Sequence, residues 1–158
     1  MSNESRSTDS EILDFTVMLQ LSEVGFLAGD MGLPDQAIAI FYNLFKIKPE
    51  ISHMGVNLAL MYARYEKVDD AIEVLISLKN KFPENQMVKA VLGMCLVQQA
   101  KPGAIELLDE VLTEKTDSDA MNIARSCYDL AKEQRVDHSY APVTDGLQFF
   151  RHYNNQTG

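Results

Sequence analysis

Apolar residues return every three or four positions along most of this chain, the spacing of helices that each bury one face. In the run near 34–47, Ala37, Phe41 and Leu44 form one stripe, and Ile38, Tyr42 and Phe45 form a second on another face. Proline and glycine punctuate the pattern. Pro49 closes the run ending Lys46-Ile47-Lys48, and Pro83 closes the one ending Asn80-Lys81-Phe82. Gly32-Leu33-Pro34-Asp35 reads as one helix stopping and the next starting, with Pro34 near the first helical position. The pattern predicts an all-α chain with helices near 10–30, 34–47, 52–65, 69–81, 85–99, 102–114 and 118–133. Thr8-Asp9-Ser10-Glu11 fits a capping box for the first helix. Asp35, Asp69-Asp70 and Asp117/Asp119 stand at predicted helix starts, where the positive end of the helix dipole favours carboxylates.

The helices repeat. Pro49 and Pro83 are 34 residues apart, as are Ala37 and Ala71, and Gly25, Ala59 and Gly93 keep the same interval twice. The third unit is irregular: Ala104 follows Ala71 by 33, no proline closes it, and one residue is missing from the turn Gln98-Gln99-Ala100-Lys101-Pro102-Gly103. Small residues at 25, 59 and 93 let paired helices approach closely, and Phe41 and Leu75 are expected to fill the space between neighbouring hairpins.

Over about residues 17–117 this pattern resembles the tetratricopeptide repeat. Val24-Gly25, Ala37-x-x-x-Phe41 and Pro49 fit the first unit; Leu58-Ala59, Tyr62, Ala71-x-x-x-Leu75 and Pro83 fit the second; Leu92-Gly93 begins the third. The resemblance implies a stack of about three helical hairpins over residues 10–133, with the seventh helix (Met121, Ile123, Ala124, Cys127, Tyr128, Leu130, Ala131) capping the open end. It also implies a concave face built by the first helix of each hairpin. The family's ligand-facing positions there become Leu19, Ser22, Phe26, Gly29 and Asp30; His53, Val56, Leu60, Ala63 and Arg64; and Met87, Ala90, Met94, Val97 and Gln98. Leu19, Phe26, Val56, Leu60, Met87, Ala90, Met94 and Val97 are thus the candidate partner-binding residues. Two roles fit such a stripe: packing against neighbouring helices, or a trough for an amphipathic helix in which methionine adapts to the partner. Modules of this family that clamp chaperone carboxylates use Lys and Asn where this chain has Ser22/Phe26, Val56/Leu60 and Ala90/Met94, which argues against that activity. The Ile38, Tyr42 and Phe45 face is either covered by the long first helix or serves as a second interface, for a dimer or a co-chaperone.

Charge and composition narrow the partner. With 23 acidic and 14 basic residues the chain carries −9, a field that repels phosphate backbones and anionic lipid, so no nucleic acid and no membrane is expected as partner. No stretch resembles a signal peptide or membrane span, and a cytoplasmic location is the expectation. His53, His138 and His152 show no metal-ligand spacing, and no phosphate loop or nucleophile motif occurs, so neither enzyme, cofactor nor metal is expected. Cys95 and Cys127 fall in apolar helical runs and read as reduced core thiols.

Short, acidic arrays of this kind are similar to the chaperones of bacterial type III secretion. The helix Met87-Val88-Lys89-Ala90-Val91-Leu92-Gly93-Met94-Cys95, the shortened turn, Ala104-Ile105-Glu106-Leu107-Leu108 and Asp117-x-x-Ala120 resemble the co-chaperones that hold a needle or pilus subunit. That resemblance implies sequestration of a small helical secreted subunit until export, together with a second small helical protein or another copy of the chain, in a virulence setting. A general adaptor or assembly scaffold is the competing expectation. The ends are expected to differ. Residues 1–9 read as disordered. The tail over 134–158 holds Leu147, Phe149, Phe150 and Tyr153 within seven residues, enough to dock on an apolar surface.

Overall fold

The computed structural model describes residues 4–136, with side chains from 15 to 133. Among the described residues there are helices and no strands: α1 (Glu4–Asp30), α2 (Pro34–Ile47), α3 (Ser52–Arg64), α4 (Val68–Lys81), α5 (Gln86–Gln98), α6 (Ala104–Glu114) and α7 (Ser118–Val136). α1 packs on α2, α3 on α4 and α5 on α6. Each pair then packs on the next helix in the chain, so the architecture is a stack of helical hairpins ending on α7. α3 also touches α5, and α5 touches α7, which puts the odd-numbered helices in one inner layer.

Most boundaries fall within two residues of the sequence reading. α1 differs: it begins at Glu4 rather than near 10, placing Thr8-Asp9-Ser10-Glu11 inside the helix and not at its start. Residues 4–9 contain no proline or glycine, so nothing covalent stops the helix there. The expected disordered segment 1–9 therefore overlaps α1, and its first three residues lie outside the described residues, as does the tail from 137 to 158 with Leu147, Phe149, Phe150 and Tyr153. α6 starts two residues late because Gly103 takes a left-handed conformation (φ 90°) straight after Pro102.

The three hairpin turns are one device. Gly32, Glu66 and Ala100, again 34 apart, all have positive φ (72°, 63° and 50°). After each, the next amide donates back across the helix end at 2.9 Å: Leu33 to Ala28, Lys67 to Tyr62 and Lys101 to Leu96. This left-handed C-terminal cap is normally given to glycine, and only the first turn has one. Glu66 and Ala100 hold a Cβ where it is crowded, at a cost of roughly 1 kcal/mol each. Replacing Ala100 by glycine should therefore stabilise the fold, by about 0.5 kcal/mol after glycine's greater unfolded freedom is counted. Gly32→Ala should lose about 1 kcal/mol. Urea midpoints of the two variants, moving in opposite directions, check this.

Packing inside each hairpin follows from the small residues. A methyl added to Gly25 would come within 2.8 Å of the Phe41 ring, and one on Gly93 within 2.6 Å of Leu108. Ala59 and Leu75, at the equivalent positions of the second hairpin, are both fully buried in the same cluster. Phe41, Leu75 and Leu108 are thus equivalent wedges, with the last displaced by the residue lost from its turn. The apolar interior divides in two. A smaller cluster of Met18, Ala28, Ala37, Phe41, Leu44, Met54, Leu58 and Met61 joins α1, α2 and α3. A larger one runs from Val56 on α3 through to Ala131 on α7.

Candidate functional site

The inner layer sets where a partner helix could lie, and its side chains fall into two groups. On α1, Leu19 is 44% exposed and Phe15 beside it 47%. Phe26 is half-buried because its ring tilts against Phe41, with centroids 4.8 Å apart. Met87, at the start of α5, is likewise half-buried. The remaining candidates are covered by the chain itself: Val56, Leu60, Ala90, Met94 and Val97 are all buried, Ala90 completely. An open trough running the length of the stack is therefore not what the side chains form. α5 is surrounded by α3, α4, α6 and α7, and nearly every residue along it is buried, so its apolar stripe has neighbours on all sides. What stays accessible is a rim: Phe15 and Leu19 on α1, His53 and Asn57 on α3, Met87 on α5 and Met121 on α7. Partial burial lowers the pKa of His53, which keeps the imidazole neutral near pH 7.

The second expected interface is partly covered by the chain. Ile38 and Phe45 pack against the small cluster, and Phe45 lies against Gly55 of α3. Tyr42 alone of the three is exposed. Of the second stripe on α2, Phe45 thus faces α3, and Tyr42 faces water.

Polar groups in the stack fasten helices. Arg64 reaches Asp30 at 2.8 Å, and the Tyr65 hydroxyl donates to the Gly29 carbonyl at 2.6 Å, so the end of α3 is tied to the end of α1. Asn85 caps α5 by accepting from the Val88 amide at 3.0 Å and donates to Ser52. Lys89 is almost wholly buried between Glu114 (3.0 Å) and Glu110 (3.3 Å). Burial pulls its pKa down, but hydrogen bonds to the two carboxylates outweigh that and raise it, so the ammonium keeps its charge. Gln86 also donates to Glu114, while its carbonyl oxygen is buried without a partner. This cluster ties the start of α5 to the end of α6.

The cysteines are buried, Cys95 with its pKa pushed up to about 12 by burial and then by nearby Cys127, and Cys127 pushed up to about 11 by burial. Such thiols are poor nucleophiles at neutral pH. Among the described residues no group of three or more His, Cys, Asp or Glu is placed to hold a metal ion, and no helix is long and apolar enough to cross a membrane.

One feature escaped the sequence reading. Val17, Leu21, Val24 and Leu27 stand on the side of α1 turned away from α3 and are all 43% exposed or more. The signal was present as four apolar residues at spacings of four, three and three, on a helix whose buried positions are Met18, Ser22, Gly25, Ala28 and Gly29. No model of a known protein family matches the chain, and no curated protein matches it.

Proposed function

We propose that this chain is a tetratricopeptide-type binding protein that acts as a chaperone, holding an apolar helix of a small secreted subunit against the rim of its inner layer. The observation that carries the reading is the shared turn at Gly32, Glu66 and Ala100, which supports a true 34-residue structural repeat of the kind that the sequence resembles. Such stacks use the exposed edge of their first helices as a binding surface. Phe15, Leu19 and Met87 supply apolar anchors there, and His53 and Asn57 supply a polar edge. The acidic charge favours a basic or neutral helix over nucleic acid or anionic lipid. Type III secretion, a cytoplasmic setting and a companion co-chaperone belong to the same proposal.

Co-purification from the native cell tests it, with Leu19→Glu and Met87→Glu alongside the native chain. Leu19 is exposed, so its variant should keep the native circular dichroism and melting temperature; Met87 is half-buried at the start of α5, and its variant should keep the native circular dichroism with at most a small loss in melting temperature. The native protein should bring down a small, aggregation-prone helical subunit, and each variant should lose it by about 30-fold or more in affinity. Recovery of stable members of a folded complex instead would favour the adaptor reading. Undiminished capture by both variants would remove the rim from consideration.

A further inference from the structure

Four helices carry the same rim position. Leu19 on α1, His53 on α3, Met87 on α5 and Met121 on α7 follow one another at intervals of 34 residues, and all four stay accessible. The odd-numbered helices run in one direction: Arg64 meets Asp30 where α3 and α1 end, and Asn85 meets Ser52 where α5 and α3 begin. The four side chains are therefore rungs of a ladder across the stack, with neighbouring helices about 8–10 Å apart. Exposed Glu50 and Glu84 stand three residues before His53 and Met87, and neither forms an ion pair among the described residues.

We infer that the chain's own residues 147–153, which lie beyond the described part, dock across this ladder, Leu147 at Met121, Phe150 at Met87 and Tyr153 beside His53, and hold the rim until a client displaces them. The inference rests on the rim being the client site. Three observations select the tail as occupant. The first is spacing. Leu147, Phe150 and Tyr153 recur every three residues. In an extended helix of three residues per turn they share one face at intervals of about 9 Å, the distance between rungs. The second is charge. Residues 146–158 include Arg151 and no acidic residue, so they carry +1 while the rest of the chain carries −10 of the total −9. Arg151, next to Phe150, then falls on the side of the ladder where Glu84 and Glu50 stand. The third is reach. α7 runs in the same direction as α5, so it ends at Val136, roughly 22 Å beyond Met121. The chain from 136 to 147 spans up to about 36 Å, enough to return to Met121 with slack. That tether holds the segment at an effective concentration on the order of millimolar, an advantage that a separate partner of the same chemistry lacks.

A nitroxide on Gln148→Cys of the full chain tests the docking, because the native thiols are buried and of raised pKa and stay unlabelled. In methionine-methyl NMR spectra the label should remove more than about half of the Met87 and Met121 signals and spare Met31, in the turn at the far end of α1. The attenuation should not depend on protein concentration. Full signals at Met87 and Met121, equal attenuation at Met31, or attenuation that fades on dilution overturns the inference. A fluorescent peptide of residues 144–158 gives a second readout. It should bind the Leu147→Glu/Phe150→Glu chain about tenfold more tightly than the native chain, whose rim is occupied. Adding Met87→Glu to that variant should weaken the peptide about tenfold or more. Equal affinity for the native chain and the double variant, or binding to neither, also overturns the inference. The client reading fails separately: it falls if the native chain captures no subunit while the tail docks, and it survives if Met87→Glu loses the subunit while no attenuation is seen.

Discussion

Met94→Glu is expected to unfold much of the protein at neutral pH, and not simply to weaken a partner. Sequence pattern placed Met94 on a binding face, where a charge would harm only the complex. In the fold it is 8% exposed, on a helix enclosed by four others. A carboxylate there would be desolvated, and its neighbours one turn away on α5, Ala90, Val91, Val97 and Gln98, offer no cation, so the loss should be about 3–5 kcal/mol, comparable to the whole stability of many domains. The pH dependence identifies the cause. Burial raises the pKa of the new glutamate above its unfolded value. Relative to the native chain, the variant therefore suffers least below the unfolded pKa and is progressively destabilised as pH rises through the folded one. Melting curves near pH 5 and pH 8 should show the gap between variant and native protein widening upward. An equal gap at both values would mean that the site is wetter than the packing indicates.

Phe41→Ala should be as damaging but more local. The ring is fully buried, closes on Gly25 and Phe26 of α1, and belongs to the cluster shared by α1, α2 and α3. Removing it leaves a cavity between rigid helices, and about 3–5 kcal/mol should be lost. Because the larger cluster from α3 to α7 does not depend on that ring, the first hairpin should open on its own. Hydrogen exchange should show α1 and α2 losing protection while α5 to α7 keep it. A uniform loss across all seven helices would show that the stack unfolds as one unit.

The repeat was legible in the sequence because it is written in residue types with steric consequences. Ala37, Ala71 and Ala104 sit where helices touch, Gly25 and Gly93 where a side chain would collide, and Pro49 and Pro83 where the ladder must stop. The spacing of 33 before Ala104 was readable for the same reason. The binding face was less so. Helical periodicity reports that Val56, Leu60, Met94 and Val97 are apolar, but not what covers them, and in a short stack the same stripe is groove at one end and core in the middle. The exposed apolar stripe on α1 was missed for the converse reason, since an apolar residue in a helix is ordinarily taken as buried. Glu66 and Ala100 left no trace of their left-handed conformation, because neither is the residue that geometry prefers.

The division of the interior into two clusters also sets the order in which a growing chain can fold. α1 and α2 leave the ribosome first, yet Met54, Leu58 and Met61, which complete the pocket around Phe41, belong to α3. At about 5–20 residues per second α3 follows within seconds, while helices form in about a microsecond. The nascent hairpin is therefore helical well before it is sealed. Each later hairpin arrives on a surface that is already built, and every packed partner lies within about one repeat of sequence. Vectorial synthesis lays this protein down in the direction in which it stacks.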